Sequence, residues 1–207
     1  MPDPRAAPVV PLHRHAAAGA PLEERDDETL MLLAAADHRR AFDVLARRHL
    51  GPLTGYCGKF LGTLKGGEEV ALDALVEAWT RRRRYVRGRF KVFVFTIARN
   101  RCLNRLRGER RRGAWSRPAD EVREGAEGGD RPDQLDALLE GERLRRTREA
   151  LLTLAPKLRE ALLLRFDQGL TYAEIARVVR RPEVTVRSRV FHAIRRLRAA
   201  LREEEAP

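Results

Sequence analysis

Hydrophobic residues recur along most of this chain at the three- and four-residue intervals of amphipathic α-helices. The clearest stripe lies near the end of the chain and consists of Val186, Val190, Ala193, Ile194, Leu197 and Leu201. No convincing alternation with a period of two residues is present, and the apolar run at 92–95 lies inside a longer helical pattern. The pattern therefore predicts an all-α fold.

Three helices are predicted in the last third of the chain. Thr171 and Glu174 have the spacing of a capping box, which predicts that a short helix begins at Thr171. Pro182 and Glu183 suit the first turn of the long basic helix that follows. A helix, a turn with Gly169, a short helix, a tight turn and a basic helix are typical of a helix-turn-helix, whose last helix reads the DNA major groove. The competing interpretation is an ordinary amphipathic helix with a solvated basic face.

Composition divides the chain into four segments. Residues 1–25 are rich in Pro, Ala and Gly and are predicted to form a disordered tail. Residues 26–112 are predicted to form a first small helical domain, and residues 142–207 a second one that holds the helix-turn-helix. Residues 113–141, rich in Gly and acidic side chains, are predicted to be a flexible linker.

Charge is both large and unevenly placed. The net charge is +12, which is typical of proteins that bind a polyanion. Residues 68–80 hold four acids and no base, whereas residues 81–112 hold fourteen bases and one acid. This segregation suggests two partners on two faces of the first domain.

The acidic segment is predicted to be a helix with an apolar stripe packed on the core of the first domain. That stripe consists of Ala71, Leu72, Leu75, Val76 and Trp79. Glu69, Asp73 and Glu77 follow one another at i, i+4 spacing. Repulsion between like charges at this spacing opposes helix formation by about 0.2–0.5 kcal/mol per pair. Such a face suits docking on a basic protein surface, although a solvated face is the alternative.

The basic segment mixes cations with aromatic residues and amides. Basic side chains can follow a phosphate backbone, and aromatic rings can stack on unpaired bases. Tyr85 has both a base-stacking and a core interpretation, whereas Phe93 and Phe95 favour the core. Asn100 and Asn104 lie one helical turn apart, and Asn can contact adenine edges or phosphates. Further along this predicted helix, Val94, Ile97, Ala98 and Leu103 are predicted to face the core.

Other chemistries are disfavoured. Cys57 and Cys102 lack disulfide-framework or zinc spacing, so no metal and no cofactor are expected. His38 and His49 are isolated and predicted to lie at the surface. The absence of a long apolar run and of a signal-peptide pattern predicts a soluble, cytoplasmic protein that does not insert into membranes.

Several segments together resemble extracytoplasmic-function (ECF) sigma factors, a two-domain class of bacterial RNA polymerase sigma factors. In the second domain these are LAPKLREALLLRF, GLTYAEIA and TVRSRVFHAIRRLR, and in the first they are RAFDVLARRHLGPL, EEVALDALVEAW and FKVFVFTIARNRCLNRLR. The resemblance covers roughly residues 28–107 and 142–203, about two thirds of the chain. It implies a non-catalytic specificity subunit that binds core RNA polymerase and promoter DNA and that an anti-sigma factor usually controls.

The resemblance also implies a role for each group of residues. Docking on core polymerase would use Glu69, Leu72, Asp73, Val76 and Glu77. Recognition of the −10 element would use Arg82, Tyr85, Arg87, Arg89, Arg99, Asn100, Asn104, Arg105 and Arg107. Recognition of the −35 element would use Thr171, Tyr172, Val184, Thr185, Arg187, Ser188, Arg189, His192 and Arg195. In the free protein, packing of the two domains on each other, or an anti-sigma factor, would mask the docking and −10 faces.

The chain departs from the family pattern in several places. Gly66-Gly67-Glu68-Glu69 replaces an acid-rich stretch before the docking helix, and Leu72 stands where the family usually has Gln. Gly51, Gly55 and Gly58 predict a weakened or kinked helix, since each costs about 1 kcal/mol relative to Ala in a helix interior. Phe93 stands where the family usually has Trp. The turn of the helix-turn-helix, where Gly is common, contains Arg180-Arg181, so a strained backbone at Arg180 is one expectation.

Three other functions are alternatives to a sigma factor. A stand-alone helix-turn-helix regulator would fit the last 60 residues, but it would not need the segregated charges of the first domain. A metal-dependent nuclease would need a second acidic or histidine cluster converging on Glu68, Glu69 and Asp73, and the sequence offers none. A scaffold that sequesters a regulator by imitating a sigma domain is the third.

Overall fold

The structure, a computed structural model, describes residues 21–85, 88–111 and 134–203, with the side chains of 134–140 and 203 left out. All regular secondary structure in these ranges is helical, which confirms the predicted fold class. Residues 1–20 of the predicted tail (1–25), residues 113–133 of the predicted linker and Arg87 of the predicted −10 set lie outside the described residues. Within the rest of the predicted tail, Leu22–Glu24 form a short 3-10 helix.

In its described residues the first domain has four α-helices: α1 (Asp27–Ala35), α2 (Arg39–Leu61), α3 (Leu64–Thr80) and α4 (Phe90–Arg111). Side chains just ahead of three of them satisfy free backbone N–H groups. Asp26 accepts from the Thr29 N–H, His38 Nδ1 from the Ala41 N–H, and Thr63 from the Gly66 N–H. These local bonds set where each helix begins.

The core of the first domain is built around large aromatic side chains. Tyr56, Phe60, Phe90 and Phe95 are fully buried, and the Tyr56 ring meets the Phe95 ring edge-on with centroids 5.3 Å apart. The predicted core residues Val94, Ile97 and Ala98 are buried as expected, and Phe93 and Leu103 are partly buried. The apolar run at 92–95 lies within α4, as predicted.

His49 does not lie at the surface, so that prediction is wrong. Its side chain is buried between α1 and α4, where Nε2 lies 2.6 Å from Asp27 Oδ2 and the ring meets Phe90 edge-on. An acidic partner and an aromatic neighbour allow an imidazole to be buried without leaving a polar atom unsatisfied. His38, by contrast, caps α2.

The glycine-rich helix α2 is continuous over 23 residues, although it also contains Pro52. The local propensity penalty is therefore outweighed by packing, since α2 contacts α1, α3 and α4. The helix ends at Gly62, which has the left-handed conformation (φ 82°) common after a helix C-terminus.

The second domain consists of α5 (Gln134–Thr153), α6 (Pro156–Leu162), α7 (Tyr172–Val179) and α8 (Glu183–Glu203). A π-helical turn at Leu163–Asp167 and a turn at Gly169 (φ 66°) separate α6 from α7. The helix α5 begins at Gln134, inside the segment 113–141 that was assigned to the linker. Gly141 does not interrupt it, because the flanking Leu, Ala, Glu and Arg residues are good helix formers.

The two domains pack against each other and share one apolar cluster. Phe95 and Phe60 of the first domain and Leu164, Leu170 and Ile175 of the second belong to that cluster and are essentially fully buried. The closest inter-domain packing is between α4 and α7. Domain packing was one of the two masking devices expected from the sequence.

Candidate promoter and polymerase interfaces

The capping box at the start of α7 is present as predicted. Thr171 Oγ1 accepts a bond from the Glu174 N–H, and Glu174 Oε2 accepts from the Thr171 N–H at 2.8 Å. Burial raises the pKa of Glu174, but the bonds from Thr171 and from Arg89 outweigh burial and hold this pKa below its ordinary value. Glu174 is thus a buried carboxylate kept ionised by its partners.

The turn between α7 and α8 contains the strained backbone that the sequence predicts at Arg180. Arg180 has the left-handed conformation (φ 52°, ψ 53°), which costs a residue with a Cβ about 1–2 kcal/mol relative to a right-handed one. The N–H of Arg180 bonds to the Ala176 carbonyl, so this residue ends α7 in the way that a glycine usually does.

Helix α8 has one buried face and one exposed face, as its sequence predicts. Val186, Val190 and Ala193 are buried. The exposed face carries Val184, Arg187, Ser188, His192 and Arg195 of the predicted −35 residues, with Thr185 half-buried at its edge.

Arg187 is held in place on the exposed face of α8. Its Nη2 lies 2.6 Å from Glu183 Oε1, and its guanidinium stacks over the Tyr172 ring with 4.6 Å to the centroid. Tyr172 is itself half-buried at the start of α7, while Thr171 is exposed. Two predicted −35 residues thus contact each other at the edge of the reading face.

Sequence reasoning left one residue out of the −35 set. Phe191 is 63% exposed on the face of α8 that also carries Val184 and Ser188. Its position on that face was visible in the helical spacing, and an exposed aromatic residue on a DNA-reading helix was the signal that could have identified it.

Helix α3 does not pack its whole apolar stripe on the core. Ala71 and Leu75 are buried, but Leu72 is 48% exposed and Val76 is 65% exposed, so the prediction that these two pack inward is wrong. The inward face is instead completed by Val70, Ala74 and Ala78. Small residues there bring α3 close to α2 and turn Leu72 and Val76 outward between the acids.

The acids of α3 are paired with bases of α4, and the two faces are therefore not separate. Arg101 bonds to Asp73 Oδ2 at 2.7 Å and to Glu77 Oε2 at 2.6 Å, and Arg105 bonds to Glu69 Oε2 at 2.6 Å. The Arg105 guanidinium holds the pKa of Glu69 below its ordinary value, and Glu69 in turn raises the pKa of Arg105. Arg105 lies on the docking side of α4, although it was assigned to the −10 set.

Five of the other predicted −10 residues fall into three places. Arg82 pairs with Asp37 and stacks on Trp79, 4.0 Å from the ring centroid. Tyr85 is buried with its ring against Phe93, and burial raises its pKa to about 12, which favours the core interpretation. Asn100, Asn104 and Arg107 are exposed on α4.

Arg89 and Arg99 are bound by carboxylates of the second domain. Arg89 Nη1 lies 2.7 Å from Glu174 Oε1, and Arg99 Nε lies 2.7 Å from Glu160 Oε2. Glu160 is 1% exposed and also lies 3.3 Å from Arg189 Nη1 of α8. One buried carboxylate therefore contacts a predicted −10 residue and a predicted −35 residue.

A second buried side chain ties the domains together at the end of α2. Arg159 is 2% exposed and donates to the carbonyls of Phe60, Leu152 and Leu154, and burial lowers its pKa to about 10. Lys59 pairs with Asp167, Lys91 donates to the Gln168 carbonyl, and the Gln168 amide donates to the Pro52 carbonyl.

Comparison with known proteins decides which family has this arrangement. The model of Sigma-70 region 2 matches residues 45–112, and the model of Sigma-70 region 4 matches residues 144–197. The chain is 30% identical over 178 residues to the RNA polymerase sigma-H factor of Pseudomonas aeruginosa, covering 83% of this chain and 92% of that protein. The chain belongs to the ECF family of RNA polymerase sigma factors. It is also 30% identical to the ECF RNA polymerase sigma factor RpoE of Cereibacter sphaeroides, covering 84% of this chain and 95% of that one.

Solved structures share the fold of this ECF sigma factor. CnrH, in complex with the cytosolic domain of CnrY, aligns with a TM-score of 0.65 at 24% identity, covering 86% of this chain and 99% of CnrH. The sigma factor RpoE of Bartonella quintana, in complex with the anti-sigma factor NepR, aligns with a TM-score of 0.61 at 25% identity, covering 78% and 96%. Sigma factors act in transcription initiation without catalysing a reaction. Among the described residues of this one, no helix is long and apolar enough to cross a membrane.

Proposed function

We propose that this ECF sigma factor directs core RNA polymerase to promoters by reading a −35 element with α8 and a −10 element with α4 while α3 docks on the polymerase. The observation that carries the proposal is that one chain combines a helix-turn-helix with an exposed reading face and a separate helix that exposes apolar residues among acids. The protein is proposed to act in the cytoplasm, without a metal or cofactor.

The −35 function rests on the exposed face of α8. Arg187 offers a guanidinium that can bond bidentately to a guanine edge, and the neighbouring Ser188 hydroxyl can donate or accept a hydrogen bond. Val184 and Phe191 are 73% and 63% exposed and can contact thymine methyl groups. The buried face, anchored by Val186 and Val190, fixes the orientation of these side chains.

The −10 function rests on the exposed side of α4. Asn100, Asn104 and Arg107 follow one another along α4 at intervals of about one turn, and the Arg107 guanidinium donates to the Asn104 side-chain carbonyl oxygen at 3.0 Å. Amides can contact base edges while the guanidinium binds phosphate. Tyr85 is buried, so base stacking by this ring would require the segment around it to move.

Docking on the polymerase rests on α3. Leu72 and Val76 form an exposed apolar patch flanked by Glu69, Asp73 and Glu77, and exposed apolar patches with a charged rim mark protein interaction sites. The polymerase surface that binds here is expected to be basic at its rim, because it must compete for these acids with Arg101 and Arg105.

An anti-sigma protein is the proposed regulator. RpoE of Bartonella quintana was solved with an anti-sigma factor, and CnrH with the cytosolic domain of CnrY. The exposed apolar patch on α3 gives such a protein a surface to cover.

Transcription from genomic DNA tests the proposal. Core RNA polymerase is incubated with a library of genomic fragments, with and without this protein, and start sites are mapped. New start sites that share two motifs at a fixed spacing are expected. DNA binding without any new start site would overturn the proposal and would favour a stand-alone regulator.

A further inference from the structure

An open cleft of about 630 Å³ lies between α4, α6 and the turn that joins α7 to α8. Its volume is in the range of small-molecule sites, about 300–1,000 Å³. Seven cationic side chains line this space, the cationic cleft, and Glu160 is the only acid among the described residues that do so. Promoter recognition does not account for all of these cations, because four of them belong to neither the −10 nor the −35 set: Arg110, Lys157, Arg180 and Arg181.

Glu160 cannot neutralise the cationic cleft. Its carboxylate is already shared by Arg99 and Arg189, which both line the cleft. In the part of the chain that the structure describes, the side chains of Lys157 and Arg181 have no carboxylate partner. A concave surface lined by charge of one sign focuses the electric field and concentrates counterions. The cleft therefore attracts an anion that carries several charges.

Arg180 stands in the wall of the cleft at a cost to the fold. Its backbone is left-handed (φ 52°), a conformation that glycine adopts without strain. Its N–H ends α7 by bonding to the Ala176 carbonyl, and a glycine would make the same bond. Strained residues of this kind cluster at binding sites. The turn does not require an arginine, so the guanidinium in the cleft has a use outside the turn.

Apolar side chains form another part of the cleft wall. Leu103 of α4, and Ala155 and Pro156 at the start of α6, line the cleft and are half-buried. A phosphate gains nothing from such a surface, whereas the flat face of a nucleobase can remove it from water. Arginine side chains also stack on aromatic rings. The lining therefore suits a ligand that joins several phosphates to a base.

We propose that the cationic cleft binds a nucleoside polyphosphate: Lys157, Arg180 and Arg181 bind its phosphates, and the apolar wall contacts its base. Both Lys and Arg bind phosphate through charge-assisted hydrogen bonds, which Arg can make bidentately. This ligand site is additional to promoter recognition and polymerase docking, and binding at it needs neither DNA nor polymerase.

Isothermal titration calorimetry on the full chain tests the site, with ATP, GTP and inorganic tripolyphosphate as probes. The titrations are run at about 0.15 M salt, where distant surface charges are largely screened. One ATP or GTP per chain is expected to bind, about tenfold more tightly than tripolyphosphate, because the base buries apolar surface. Equal affinities for all three probes would overturn the nucleoside assignment. No binding of any probe up to about 1 mM would overturn the site and leave its cations to DNA phosphates.

Paired variants locate the bound nucleotide, and circular dichroism confirms that each variant is folded. Lys157→Gln together with Arg181→Gln removes two exposed cations from the cleft and is expected to weaken ATP binding about tenfold, since each exposed charge pair contributes about two- to fivefold. Arg40→Gln together with Arg177→Gln is the matched control, because it removes two exposed cations that do not line the cleft. Equal losses in both double variants would show a general attraction to positive charge and would overturn the cleft.

Arg180→Gly distinguishes ligand binding from folding. The change relieves the left-handed backbone while it removes a cation from the cleft. ATP binding is expected to weaken about two- to fivefold although the melting temperature of the free protein rises, a combination that misfolding could not produce. A higher melting temperature with unchanged ATP affinity would overturn the role of Arg180. Because these titrations contain no polymerase, failure of the ligand site would leave the outcome of start-site mapping, and with it the sigma function, unaffected.

Discussion

Gly67 lies against Gly58 where α3 crosses α2. A Cβ placed on Gly67 would come within 2.4 Å of the Gly58 nitrogen and 2.5 Å of its Cα, which no side chain can occupy. The two helices therefore approach as closely as their backbones permit. Gly67 belongs to the stretch in which this chain departs from the acid-rich family pattern. The close packing of α3 on α2 explains why a glycine stands there.

Replacing Gly67 by Ala is expected to destabilise the protein. The methyl group must push α3 away from α2, and overpacking of this kind costs about 1–3 kcal/mol. Urea denaturation followed by circular dichroism measures the free energy of unfolding. Gly55→Ala is the matched control on α2, since a Cβ there meets nothing within 4 Å, and a gain of up to about 1 kcal/mol is expected. Equal effects of both changes would contradict the close crossing.

Arg180 offers a prediction of the opposite sign. Its left-handed backbone is the one a glycine adopts without strain, so Arg180→Gly is expected to raise the free energy of unfolding by about 0.5–1 kcal/mol. Arg177→Gly, in the right-handed backbone of α7, is expected to lower it by about 1 kcal/mol. Thermal and urea denaturation of both variants measure whether the free energy of unfolding rises for Arg180→Gly and falls for Arg177→Gly. A loss of stability in both would show that the Arg180 side chain itself holds the turn.

Helical spacing predicted the fold and part of the sites, and its failures have physical causes. The stripe on α8 and the capping box at Thr171 depend on neighbours three or four residues away, which the sequence displays directly. The outward position of Val76 depends on where α2 lies relative to α3, and spacing shows only which residues share a face. Helical spacing could not reveal the Arg99–Glu160 contact either, because these two residues are 61 positions apart in the sequence.

A change at Val76 allows docking on the polymerase to be tested without disturbing the fold. Its side chain is 65% exposed, so Val76→Gln is expected to change the free energy of unfolding by less than about 0.5 kcal/mol. Binding to core RNA polymerase is expected to weaken about five- to thirtyfold, the cost of leaving a valine-sized contact unburied. Competition against a labelled sigma factor measures that affinity.

The matched control for Val76→Gln is Leu144→Gln. Leu144 is 67% exposed on α5 of the other domain, so the change in polarity and in exposure is nearly the same. Polymerase affinity is expected to stay within twofold of that of the unmodified protein. If the two variants lost the same affinity, α3 would not be the docking helix.

Arg187 carries the sharpest prediction for the −35 element. Glu183 and the Tyr172 ring hold its guanidinium at the exposed face of α8, so a base contact loses little side-chain entropy. Arg187→Ala is expected to lose about 1–3 kcal/mol of discrimination at one base pair. Arg195 is expected to bind phosphate, so Arg195→Ala is expected to weaken binding to all DNA sequences alike and to reduce the salt slope of binding by about one. Selection of bound DNA from a library randomised over the −35 element, repeated at two salt concentrations, distinguishes them. An Arg187→Ala variant that selects the same −35 sequence as the unmodified protein would place the reading face elsewhere on α8.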